Sequence, residues 1–205
     1  MEKVYKLGGL DTFSIGVVLL AGTSFLVYLD MGIALALIYR LINTLALCIM
    51  AIGIFSLTNY NGSFAKSKVL IILDLIVTIV AAGLIPFGYR GVYPALDYVS
   101  LFCSVAAIAL GIGVILLVIK GCAEIAAEKG DEEHRASCEK TGKIFLILTI
   151  AGYVALAGVV ALGDTLGGLS LFVIIFGGIL IVGAHIIMML RAHETAKRFH
   201  QENRI

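Results

Sequence analysis

Residues 98–119 read YVSLFCSVAAIALGIGVILLVI, and Lys120 follows. These 22 residues carry no charged side chain. As a helix they would rise about 33 Å, enough to cross the roughly 30 Å hydrocarbon core of a bilayer. Five more stretches have the same character: Phe13–Leu29, Gly32–Leu57, Val69–Phe87, Ile144–Leu162 and Leu166–Leu190. The expected fold is all-α, an integral membrane bundle of six transmembrane helices in one polytopic domain over residues 1–205.

Composition agrees. Hydrophobic residues make up 60% and charged residues only 14%, against roughly 25% charged in soluble domains. Mean hydropathy is +1.06. Of the 15 Lys and Arg, 13 fall at the N-terminus, in the second and fourth connections, or at the C-terminus. Arg90 lies in an opposite loop and Arg40 within a span. Positive residues flanking spans favour the cytoplasmic side. Both termini are therefore expected in the cytoplasm, with the protein in the cell membrane. The start, MEKVYKLGGLDTF, has no small-x-small cleavage pattern, so the first apolar run is expected to be a spanning helix. Cys48 and Cys103 lie in spans, and Cys122 and Cys138 in the fourth connection. No disulfide is expected.

The spans read as three antiparallel helical hairpins, approximately 7–60, 66–121 and 140–192. Ser100-Leu101-Phe102 precedes Gly113, Ser170-Leu171-Phe172 precedes Gly183, and Arg40-Leu41-Ile42 precedes Gly53, all at one spacing. In the odd helices Leu10-Asp11, Leu73-Asp74 and Leu148-Thr149 align, followed by Gly22, Gly83 and Gly158. This predicts a tandem repeat with its axis along the membrane normal, not the inverted repeat of many alternating-access transporters.

The connections are expected to differ. Asp30-Met31-Gly32 reads as a tight turn, and Gly163–Gly168 as a short flexible link. Pro86–Pro94 reads as a non-helical loop, either an aromatic interfacial belt or a ligand lid. The connection 120–143 should be helical: Gly130 can end one helix and Asp131 cap the next, with Glu132 and Glu133 in its first turn. The tail 191–205 should extend the sixth helix over Ala192–Asn203. These extensions are either solvated helix ends or a surface for a membrane or cytoplasmic protein partner. The bilayer is the expected partner, and no nucleic acid is.

Two sets of polar residues stand out in the apolar spans. Asp74 lies six residues after Lys68, and His185 six before Arg191, so both sit about 9 Å inside. Asp11 and Thr149 occupy the repeat-equivalent places, and Tyr153 follows Thr149 by one turn. This layer reads as a cytoplasm-facing proton or cation site, or as a structural hydrogen-bonding layer. Asp74 and His185 are expected to approach each other, directly or through water. Arg40 and Asn43 share one face near the outer end of the second helix. Arg40 is expected to snorkel toward Asp30, Asp97 or Asp164, with anion binding as the other reading. Direct pairing of Arg40 with Asp74 is not expected. Ala107/Gly111 and Ala109/Gly113 form small-xxx-small pairs suited to helix packing within the chain, or to dimerisation.

Cys122, His134, Cys138, His193 and His200 match no standard zinc spacing, so no metal site is expected, and no cofactor. HExxH, GxSxG, P-loop and GxGxxG patterns are missing from the sequence, so no enzymatic activity is expected.

The third hairpin, Ile147–His193, resembles the bacterial HdeD-like membrane proteins through Gly152, Gly158, Gly177, Gly178, Gly183 and the closing Arg191. No proline stands in its outer turn. The resemblance implies a six-helix, acid-stress-linked membrane protein, and it carries over no catalytic residue.

Two functions follow. The first is a membrane scaffold or stress-related protein without enzymatic chemistry. The second is a small solute transporter, or the membrane substrate-binding subunit of an importer. The first helix offers Gly16 and Gly22 but no AxxxA-type docking stripe for an importer. A water-filled pocket lined by the polar layer would favour transport, and a dry packed bundle the scaffold.

Overall fold

The computed structural model describes residues 6–23, 33–88 and 94–199. They form six α-helices: α1 (Gly8–Thr23), α2 (Ile33–Leu57), α3 (Gly62–Gly88), α4 (Pro94–Glu128), α5 (Glu132–Leu166) and α6 (Leu169–Phe199). Five are long and apolar enough to cross a membrane, and α1 as described is a shorter apolar helix. The last residues of the first expected span (24–29), the turn at 30–32 and the segment 89–93 lie outside the described chain.

Helices adjacent in sequence pack together, most extensively as α1/α2, α3/α4 and α5/α6. α1 also packs on α6, which closes the bundle into a ring, and α4 touches α6 across it. The outward surface is apolar: Leu41, Phe102, Ile147, Phe172 and Ile179 are all exposed. Such a surface is costly in water and suits hydrocarbon. Phe13, Phe64 and Phe145 are fully buried between the helices.

One end of the bundle gathers most of the Lys and Arg, and here the connections are tied down. Tyr60 Oη accepts from the Lys6 backbone N–H (2.8 Å) and donates to the Lys6 carbonyl (3.1 Å). Asn61 caps α3, accepting from Phe64 N–H (3.0 Å), and its amide donates to Gly121 O of α4 (3.0 Å). The α4–α5 corner follows its sequence. Gly130 has φ +72°, and the Gly130 and Asp131 N–H groups return to the carbonyls of Ala127 and Ala126. This is a Schellman ending that L side chains rarely adopt. Asp131 Oδ1 then accepts from His134 N–H (3.0 Å) and caps α5. α4 and α5 each run 35 residues, about 52 Å, so they extend past any hydrocarbon layer. α6 continues to Phe199, and residues 200–203 of its expected extension lie outside the described chain.

The opposite end corrects two expectations. α5 is helical through Leu166, so the link reduces to Gly167, with φ +52°, and Gly168. Pro86 through Gly88 belong to α3 rather than to a loop. The reversal between α5 and α6 is made at Gly167, whose positive φ is one that L side chains rarely adopt.

Candidate functional site

Helical spacing sets the polar side chains on common faces. Asp74 and Thr78 stand one turn apart on α3, Thr149 and Tyr153 one turn apart on α5, and Arg40 and Asn43 three residues apart on α2. With His185 of α6 and Ser104 of α4 they line one cavity of about 100 Å³ inside the ring. All six helices contribute, α1 through Leu20. At about 30 Å³ per water molecule, the space suits some three waters or one small solute. The two polar sets, read from the sequence as lying near opposite faces, thus share one chamber.

Asp74 is 2% exposed. Its Oδ1 accepts a long hydrogen bond from Thr78 Oγ1 (3.4 Å). Its Oδ2 rests against Gly111 of α4, where a Cβ would lie 3.4 Å away. Arg40 Nη2 donates to Ser104 Oγ (2.8 Å), and Ser104 donates in turn to Ser100 O (2.9 Å). Thr149 is fully buried, and its Oγ1 has no hydrogen-bond partner. His185 Nδ1 lies 2.7 Å from Ile181 O. A carbonyl only accepts, so Nδ1 carries the proton and Nε2 keeps its lone pair in the neutral ring. Edge-to-face packing on Phe145, at 5.4 Å between centroids, fixes the imidazole. Asn43 Oδ1 lies 2.6 Å from Thr23 Oγ1 of α1.

Among the described residues, no carboxylate lies within ion-pair distance of Arg40, and no cation within that distance of Asp74. Both side chains nevertheless line a cavity inside apolar helices. Unpaired charge there is expensive unless water or a ligand solvates it.

Two expectations need correction. Asp11 is not in this layer. It is half exposed at the basic end, where Oδ1 meets His193 Nδ1 at 2.8 Å. Arg40 reaches inward to Ser104 rather than outward, while the side chains of Asp30, Asp97 and Asp164 lie outside the description. Asp74 and His185 line the same cavity without a direct hydrogen bond between them, and His185 Nδ1 bonds to its own helix. Ser104, Thr78 and Tyr39 also line the cavity and were not singled out from the sequence. Thr78 had a signal, since it follows Asp74 by one turn.

A second polar cluster lies at the basic end between α5 and α6. His134, 1% exposed, has Nε2 2.8 Å from Thr195 Oγ1, and Thr195 donates to Arg191 O (2.9 Å). Arg198 Nε pairs with Asp131 Oδ2 (2.7 Å), and Arg191 Nη1 with Glu194 Oε2 (2.6 Å). Cys122 and Cys138 are buried free thiols. Among the described residues, no group of three or more His, Cys, Asp or Glu is arranged to hold a metal ion.

The chain matches no protein-family model, no curated protein and no solved structure.

Proposed function

We propose that this polytopic membrane protein is a small-solute carrier whose binding station is the cavity inside the helix ring, with the basic end in the cytoplasm. One observation carries the reading: Arg40 and Asp74, neither with an ion-pair partner among the described residues, line the same cavity. A scaffold gains nothing from such an arrangement. Apolar residues of similar volume would give a dry bundle at lower free-energy cost. A carrier needs groups that face a solute and remain unsatisfied without it, as Thr149 Oγ1 is. The cavity binds and releases, and the reading assigns it no chemical step. The positive charge gathered at one end supports the orientation.

The test is chemical access to Ala107, which lines the cavity on α4. A107C is made in a background with Cys48 and Cys103 replaced by Ala; Cys122 and Cys138, fully buried, are left in place. Vesicles containing the variant are treated with a charged, membrane-impermeant methanethiosulfonate reagent from each side. A carrier should be labelled from both sides. A variant that resists the reagent on both faces would mean a dry bundle, and the scaffold reading would replace this one.

A further inference from the structure

The carrier reading leaves its solute open, and the placement of charge within the cavity narrows it. Ser104, which holds the Arg40 guanidinium, and Gly111, which backs the Asp74 carboxylate, both belong to α4. Seven residues separate them, which is two turns. They therefore share one face of the helix, about 10 Å apart along it. Ala107 lies between them and also lines the cavity. Small residues thus floor a trough with a guanidinium at one end and a carboxyl group at the other.

Opposite charges in a medium of low dielectric attract strongly. These two do not meet. Arg40 is held by Ser104, which is itself anchored to Ser100 O. Asp74 is held by Thr78 on its own helix. A guanidinium and a carboxyl group held apart in one cavity form a template for a molecule of the reverse polarity. The fully buried, unpartnered Thr149 Oγ1 and the unprotonated nitrogen of His185 add an acceptor-rich surface on the other side of the cavity.

We infer that the cavity takes a short zwitterion, with its carboxylate at Arg40 and Ser104 and its ammonium at Asp74, Thr149 and His185. Charge-assisted contacts of about 3 Å at each end leave about 4 Å of the trough between the ligand's own charged groups. That span suits an amino acid with one to three carbons between amine and carboxylate. A lone anion would leave Asp74 unsatisfied, and a lone amine would leave Arg40 unsatisfied. Each should bind at least about tenfold more weakly, since every 1.4 kcal/mol is tenfold in affinity.

The experiment reads protection of A107C from the methanethiosulfonate reagent in the full-length protein. The probes are glycine, β-alanine and 4-aminobutyrate, with acetate and methylammonium as single-charge controls. Protection avoids melting temperature as a readout, because zwitterionic osmolytes raise stability without binding. At least one zwitterion should slow labelling saturably, and neither control should match it at ten times the concentration. Adding D74N should raise acetate to the level of the best zwitterion, and adding R40Q should do the same for methylammonium. If either variant fails to fold, the unmodified series still decides. Equal protection by acetate or methylammonium, or none by any zwitterion, would overturn the inference. It rests on the carrier reading, and the two fail separately: labelling from both sides without zwitterion protection removes this ligand class alone, whereas no labelling removes both.

Discussion

Gly53 of α2 lies so close to Gly9 of α1 that a methyl group on Gly53 would stand 2.5 Å from the Gly9 carbonyl oxygen and 2.6 Å from the Phe13 nitrogen. These atoms, and Phe13 Cα at 2.9 Å, are all backbone, so neither helix can yield by turning a side chain. Gly53→Ala should cost about 1–3 kcal/mol through overpacking. Gly158→Ala and Gly183→Ala meet open space and should be neutral or stabilising, since Ala exceeds Gly by about 1 kcal/mol in helix propensity. Thermal unfolding in one detergent compares the three. Equal midpoints for Gly53→Ala and Gly158→Ala would refute the close crossing.

Asp131 both caps α5 and pairs with Arg198. Asp131→Ala should lose the cap, about 0.5–2 kcal/mol, together with a partly exposed ion pair of about 0.2–1 kcal/mol. Asp131→Asn keeps a capping oxygen and should lose only the smaller part. Arg198→Ala in an Asp131→Asn background should then add little. Denaturant titration of all three variants would show whether the two roles separate.

Thr195 accepts from His134 in a buried site. Its own proton goes to Arg191 O. Thr195→Val would leave His134 Nε2 without a hydrogen bond, beside an Nδ1 that has none and only the Glu194 carboxylate at 3.8 Å. The expected loss is about 1–3 kcal/mol, while Thr195→Ser should be mild. Hydrogen exchange at the end of α6 gives a local readout. Unchanged protection in Thr195→Val would show that the histidine does not hold α6 to α5.

The orientation proposed above predicts opposite results for two topology reporters. Alkaline phosphatase fused after Ile205 should be inactive, and fused after Arg90 active. Activity at the C-terminus would place the basic end outside the cytoplasm.

The helical architecture was legible because apolar runs long enough to span leave few alternatives, and because Gly130 and Asp131 carry specific local geometry. Asp74, Thr149 and His185 were legible by their cost in apolar helices and by their shared distance from a basic residue. Asp11 misled. Asp74 lies 12 residues into α3, but Asp11 lies only 3 into α1, so equal repeat position did not mean equal depth. The repeat-marking glycines show the same limit: Gly53 touches backbone, Gly113 meets a Leu70 methyl at 3.1 Å, and Gly183 meets nothing. The shared cavity was hidden for another reason. Ala107 and Gly111 read as packing residues, and Gly113 does pack on α3. Only the placement of α2 and α3 on α4 reveals that Ser104, Ala107 and Gly111 instead leave a trough.

The ring closes through residues far apart in the chain: Asp11 and His193, which meet at its seam, are 182 positions apart. At the usual pace of about 5–20 residues per second, a ribosome needs about 10–40 s to travel between them. Through that interval α1 lacks its final neighbour, and Asp74 and Arg40 lack the wall that α6 provides. The charges that define the cavity are thus made well before the cavity exists. A newborn chain must shelter them with water, lipid headgroups or the insertion machinery until its last helix arrives.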